Sequence, residues 1–379
     1  MKHLWQKSGA RAALLPLLVL LGLLLASCNV PGVPATSAQL PQVAAPTATP
    51  ALPPVRFPQD EAPHRDLTEW WYYTGHLNAL MPDGQQHHYG FELVFFQILR
   101  SDYPPIYAAH FAISDLARGE FHYDQRRLME PQAVLPDGTS TAGVKVALND
   151  WSIRALNGHD HLIASMDGYS IDLDLNALKE PTLHNGNGLI TYGLGGFSYY
   201  YSRTSMAVAG TLLDHQQRVQ VSGDAWMDHQ WGNFLALGGG GWDWYSVQLN
   251  NHTEMMLYVI RDASGQAIST YVGIIGEDGH YLELPASALK LSVLDHWTSP
   301  TTDITYPSGW QVEVSDPRLT ASLTLQPELK NQELVTTQST GNTYWEGAVS
   351  IVGSASLPGQ KNASAVQGEG YVELTGYHK

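Results

Sequence analysis

The chain has 379 residues, with 20 Lys and Arg against 36 Asp and Glu, a formal charge of −16. This length predicts two domains. The acidic balance excludes a nucleic-acid binder, which needs a basic face, and a charged fraction of only 15% excludes a disordered chain. A single Cys excludes an intramolecular disulfide and a thiolate metal cluster.

Lys2, Lys7 and Arg11 precede an apolar run over 14–25, then Leu25-Ala26-Ser27-Cys28. A basic start, a short apolar stretch and small residues before a break are the parts of an export signal. The run is short for a membrane span. The lone Cys directly after the small residues resembles a bacterial lipobox, so residues 1–27 read as a lipoprotein signal and Cys28 as the acylated first residue of the mature chain. This places the protein in the cell envelope, attached to the extracytoplasmic side of a membrane through acyl chains on Cys28. Residues 28–55 are rich in Pro, Ala and Thr and carry no charge, which predicts an extended tether.

From Arg56 onward the pattern is one of strands. Ile171 to Leu175 alternates strictly, as do Val312-Glu313-Val314, Leu323-Thr324-Leu325 and Val372-Glu373-Leu374. Turn pairs such as Asp83-Gly84, Asn157-Gly158 and Asp278-Gly279 punctuate these runs. Short strands with Gly-containing turns predict an all-β sandwich or barrel. An aromatic stretch and four successive Gly at 238–241 suggest a domain junction, and the body is divided into 56–225 and 226–379.

No G-x-S-x-G elbow, H-E-x-x-H or strand-linked G-x-G-x-x-G occurs. His159-Asp160-His161 is a surface turn or, with a third ligand, a metal site. Three aromatic clusters remain. In the first, Glu69, Trp71 and Tyr73 share one strand face, and Trp70 and Tyr72 the other. In the second, Asp228 precedes His229, a candidate acid, base or water-holder. In the third, Asp243 shares a face with Tyr245 and Val247; a carboxyl on an apolar face is driven toward its protonated form.

Together these clusters resemble the family of carotenoid 1,2-hydratases (hydroxyneurosporene synthases) and the related AttH-type predicted secreted hydrolases. The residues that carry the resemblance are Glu69-Trp70-Trp71-Tyr72, Phe91-Glu92-Leu93, Asp228-His229-Gln230-Trp231-Gly232, Tyr344-Trp345-Glu346-Gly347 and Gly370 to Tyr377. The resemblance implies two tandem lipocalin-like antiparallel β-barrels. It also implies, for some members, a cofactor-free hydratase that adds water to a carbon–carbon double bond of a lipophilic isoprenoid. Under it Asp243 is the expected acid, and His229 positions or deprotonates the water. Trp231 and Tyr245 complete the catalytic set, and Trp242, Trp71, Tyr73 and Glu69 line the substrate site, with no metal. Two other readings stand beside it: a secreted hydrolase, and a carrier that holds a lipid or pigment unchanged. The aromatic junction over 226–245 directs attention to a site between the two halves.

Overall fold

The computed structural model describes residues 52–100, 103–128, 143–191, 196–234, 239–356 and 362–378. The signal over 1–27, Cys28 and most of the tether lie outside these residues. The regular structure of the described chain is almost entirely strand, as the sequence predicts; its helical structure includes short 3-10 turns such as His184–Gly186. Among the described residues no helix is long and apolar enough to cross a membrane.

Twelve strands form the first antiparallel sheet. They are β1 (Thr68–Leu80), β2 (Gln86–Arg100), β3 (Tyr103–Asp115), β4 (Glu120–Leu128), β5 (Val144–Leu148), β6 (Trp151–Leu156), β7 (His159–Met166), β8 (Tyr169–Ala177), β9 (Thr182–Leu183), β10 (Leu189–Thr191), β11 (Gly196–Asp214) and β12 (Gln217–Phe234). Their order is β4-β3-β2-β1-β12-β11-β8-β7-β6-β5, with β9 and β10 on β11. The second sheet holds β13 (Gly239–Leu249), β14 (Glu254–Asp262), β15 (Ala267–Ile275), β16 (Tyr281–Leu284), β17 (Leu289–Thr298), β18 (Thr305–Asp316), β19 (Leu319–Pro327), β20 (Glu333–Val335), β21 (Thr343–Ser356) and β22 (Ser364–Leu374). It runs β16-β15-β14-β13-β22-β21-β19-β18-β17, with β20 on β21. Each sheet wraps its own apolar core. Neither closes into the complete barrel expected: among the described residues no ladder joins β4 to β5 or β16 to β17.

Local sequence accounts for these elements. β8 buries Ile171, Leu173 and Leu175 and turns Asp172 and Asp174 to water, the pattern of a strand covered on one side. Asn157 and Gly158 both take positive φ, which matches the twist of the β6–β7 hairpin. β1 and β2 differ: their middles are buried on both faces.

Two expected boundaries move. The division at 225/226 falls inside β12, where Trp226 pairs with Thr74 of β1. β12 has to continue to Gly232 to match the start of β1 at Thr68, so the chain changes sheets only between Phe234 and Gly239. The end of the tether belongs to the fold: the Tyr199 hydroxyl donates to the Pro53 carbonyl at 2.6 Å, and Val55 packs on the first core.

β1 and β12 approach closely because glycine permits it. A Cβ on Gly223 would lie 1.8 Å from the His76 carbonyl oxygen. Gly223→Ala is expected to destabilise the protein by about 1–3 kcal/mol through forced backbone displacement. Urea denaturation measures this, and an unchanged midpoint would contradict the close packing.

Candidate active site

Strand alternation sorts the aromatic clusters into three places. On β1 and β12 the odd-numbered side chains, among them Trp71, Tyr73, Met227 and Trp231, enter the first core. The even-numbered Tyr72 and Trp226, with Tyr200 of β11, point to the second sheet, where they cluster with Trp244, Tyr271 and Tyr371. On β13 the relation inverts: Trp244 faces the junction, while Tyr245 and Val247 enter the second core.

The residues expected to act together are therefore divided. Glu69, Trp71, Tyr73, His229 and Trp231 gather inside the first sheet. There His229 Nε2 lies 2.8 Å from Glu69 Oε1, and the Trp71 ring stacks on His229 with centroids 5.0 Å apart. Asp243 and Tyr245 stand on the second sheet's inner side. Asp243 is engaged by the Arg261 guanidinium at 3.0 Å and by the Tyr377 hydroxyl. Asp243 is thus held as half of an ion pair, on a different core from His229, and burial still raises it above the ordinary carboxylate value, the direction its apolar face predicts. Of the expected set only Trp242 faces the junction, with its indole N–H donating to Glu373 at 2.8 Å. His159 and His161 diverge from Asp160: the imidazoles are directed to Asn176 and Asp172 outside, and Asp160 accepts from Tyr73 inside.

The junction contains groups that the sequence reading did not select. Tyr72 of the first sheet donates to Glu346 Oε1 of the second at 2.7 Å. Tyr344 of the second donates to Glu92 Oε1 of the first at 3.0 Å. His110 sits between Tyr344 and Ser339, at 2.7 and 2.9 Å. Both carboxyls are buried, and the second oxygen of each, Glu92 Oε2 and Glu346 Oε2, has no hydrogen-bond partner among the described residues. Burial pushes Glu92 up to about 8. Burial and then the neighbouring Glu92 charge push Glu346 well above the carboxylate range. Desolvation also raises Glu373 to about 7 and Asp228 to about 6. Asp228 is the most completely held of the four, accepting from Tyr200, Ser202 and Trp226.

Aromatic rings wall this site. Trp244 meets Tyr72 edge-on at 5.4 Å and Trp226 at 5.9 Å. Trp70, Phe96, Ile190 and Tyr258 form a half-buried rim, with Trp242 beside it at 39% exposure. The arrangement supplies buried carboxyl groups driven toward their protonated forms, beside aromatic π-faces suited to a cation. A sequence signal was present. Glu92 and Glu346 are lone acids inside runs that read as core, Phe91-Glu92-Leu93 and Trp345-Glu346-Gly347.

The AttH-like family model matches residues 48–377. A crystal structure of a candidate AttH from Nitrosomonas europaea superposes with a TM-score of 0.73 at 28% identity, covering 87% of this chain and 98% of that one. Kievitone hydratase from Nectria haematococca superposes with a TM-score of 0.65 at 19% identity, covering 86% and 94%. CghA gives 0.51 at 14% identity, covering 82% and 89%; these two likenesses establish the shared fold. No curated protein matches the sequence significantly.

Asp243→Asn tests the placement of that carboxyl. Removing one member of a buried ion pair strands the other, so a loss of about 3 kcal/mol is expected. Thermal and urea unfolding measure it, and a variant as stable as the parent would contradict a stabilising role for the Asp243–Arg261 pair.

Proposed function

The chain belongs to the AttH-like family, and from that premise we propose that it is a hydratase-type enzyme acting at the junction of its two sheets on a lipophilic, alkene-bearing substrate of the isoprenoid class. One observation carries this reading: two buried carboxyl groups, each anchored by a tyrosine of the opposite sheet, each keep one oxygen without a hydrogen-bond partner among the described residues. The family resemblance supports a carotenoid-like substrate. The name of kievitone hydratase supports addition of water as the reaction such a fold can host. Export and acylation of Cys28 belong to the same proposal, since a tethered enzyme meets a membrane-dissolved substrate without extracting it into water.

The reaction follows from the two acids. Glu92, protonated at neutral pH, gives its proton to one alkene carbon, and the π-bond electrons form that C–H bond. The neighbouring carbon becomes a cation, stabilised by the faces of Trp244, Trp226 and Tyr72. Water adds its oxygen to that carbon, and its surplus proton returns to the Glu92 carboxylate. One H and one OH have been added, and the site ends as it began. Glu346, also pushed well above the carboxylate range, orients the water through its unpartnered oxygen. A general acid titrating near the working pH is the efficient one, which favours Glu92 over Asp243 as donor.

Incubation with acyclic carotenoids and membrane lipids in oxygen-18 water, followed by mass spectrometry, tests the proposal. A product heavier by one labelled water is expected, with Glu92→Gln lowering its formation at least 100-fold and Glu346→Gln lowering it less. A labelled carboxylate fragment would instead identify a hydrolase, and a lipid retained unchanged would identify a carrier; either result overturns the hydratase reading.

Activity should fall as pH rises through about 8, where Glu92 loses its proton. Stability carries the same sign. The folded value lies above the ordinary 4.5, so the contribution of Glu92 is complete below that value and is lost as pH rises through about 8. The melting temperature of the parent should decline over this window more steeply than that of Glu92→Gln. Parallel profiles would contradict the buried neutral acid.

A further inference from the structure

The interior of the first sheet holds a second constellation, which the proposed reaction does not use. His64, just before β1, directs Nδ1 to Glu69 Oε1 at 2.8 Å. His229, on β12, directs Nε2 to the same oxygen at 2.8 Å. The two imidazole nitrogens and the carboxylate oxygen all lie within 4.8 Å of one another. Metal–nitrogen and metal–oxygen bonds of about 2.1 Å in a tetrahedral sphere give a ligand–ligand edge of about 3.4 Å. The two nitrogen–oxygen separations, now hydrogen bonds, would have to open by about 0.6 Å for an ion to replace the shared protons.

The surroundings orient all three groups. Glu69 Oε2 accepts from the His64 backbone N–H at 2.7 Å and from Gln97 Nε2 at 3.0 Å, which leaves Oε1 as the oxygen turned to both rings. The second ring nitrogen of each histidine faces an oxygen: His64 Nε2 lies 3.5 Å from Asp60 Oδ1, and His229 Nδ1 lies 3.3 Å from the Tyr201 hydroxyl. Metal-bound histidines are oriented by outer partners of this kind. The Trp231 ring stacks on His64 at 4.1 Å, nearly parallel, and Trp71 stacks on His229, so neither imidazole is free to rotate. Glu69 and His229 are fully buried, and His64 is the member with solvent access.

We propose that His64, Glu69 and His229 bind one divalent transition-metal ion of the kind that takes imidazole and carboxylate ligands, zinc being the representative. Each ring contributes one nitrogen and Glu69 contributes Oε1. The ion displaces the protons now shared between the rings and the carboxylate. Three protein ligands leave at least one position for water or a small oxygen ligand, the number found in open rather than sealed zinc sites. This site is separate from the Glu92–Glu346 junction and does not depend on the hydratase reading.

The test uses the full-length protein without an affinity tag, stripped with a chelator and dialysed against zinc chloride. One equivalent of zinc should be retained, with X-ray absorption showing two imidazole nitrogens and oxygen ligands and no sulfur. Glu69→Gln and His64→Asn should each weaken binding at least tenfold in calorimetric titration, with unchanged far-ultraviolet circular dichroism. Absence of saturable one-equivalent binding would overturn the proposal, and so would binding unaffected by both folded variants. If either variant fails to fold, the absorption spectrum of the unmodified protein decides: a first shell containing sulfur, or lacking imidazole, excludes this site.

Discussion

A strand buried on both faces has no solvated side on which to place a charge. The middles of β1, β2 and β12 are of this kind, walling the first core on one side and the second sheet on the other. Every ionisable group carried there has to be paired, held by neutral donors or kept neutral. Glu69 takes the first course, with His64 and His229. Asp228 takes the second, with two hydroxyls and an indole. Glu92 takes the third. Alternation sets Glu69 in the first core apart from the other two at the junction, where Asp228 and Glu92 differ by the number of donors that reach them.

The same alternation governs what could be seen in advance. The all-β class, the two halves and the aromatic clusters are written in short periodic segments such as Ile171 to Leu175, and local patterning is enough to recognise them. The juxtaposition of Tyr72 with Glu346, 274 positions apart, depends on how two sheets dock, and no local pattern carries that. The sequence reading did separate Glu69 and Trp71 from Trp70 and Tyr72. It then chose the face that lines the first core, while the junction is built from the other. For Asp243 the apolar strand face was read correctly and its occupants were not, because Arg261 comes from the neighbouring strand β14 and Tyr377 from the segment after β22.

The junction and the first core also differ in chemical character. At the junction four carboxyls face tyrosine and tryptophan, and among the described residues no basic side chain hydrogen-bonds to Glu92 or Glu346. In the first core Glu69 meets two imidazoles, and Glu61 meets Arg203 at 2.5 Å. The first core adds to these pairs one acid of the junction's type, Asp160, which accepts from Tyr73 and is pushed up to about 7 by burial.

The crossed pairing of Tyr72 with Glu346 and Tyr344 with Glu92 also bears on how such a chain can change over generations. Each sheet supplies an acid to the other's phenol, so neither half is a portable module, although the chain passes from one to the other through a short connection. A chimera joining one half to an unrelated second half would meet the junction with a phenol lacking its acid or an acid lacking its phenol. It would also expose a broad aromatic strip that in a monomer invites aggregation. Recombination at 234–239 is therefore constrained to partners that match at both pairs, and the two halves are expected to diverge in step.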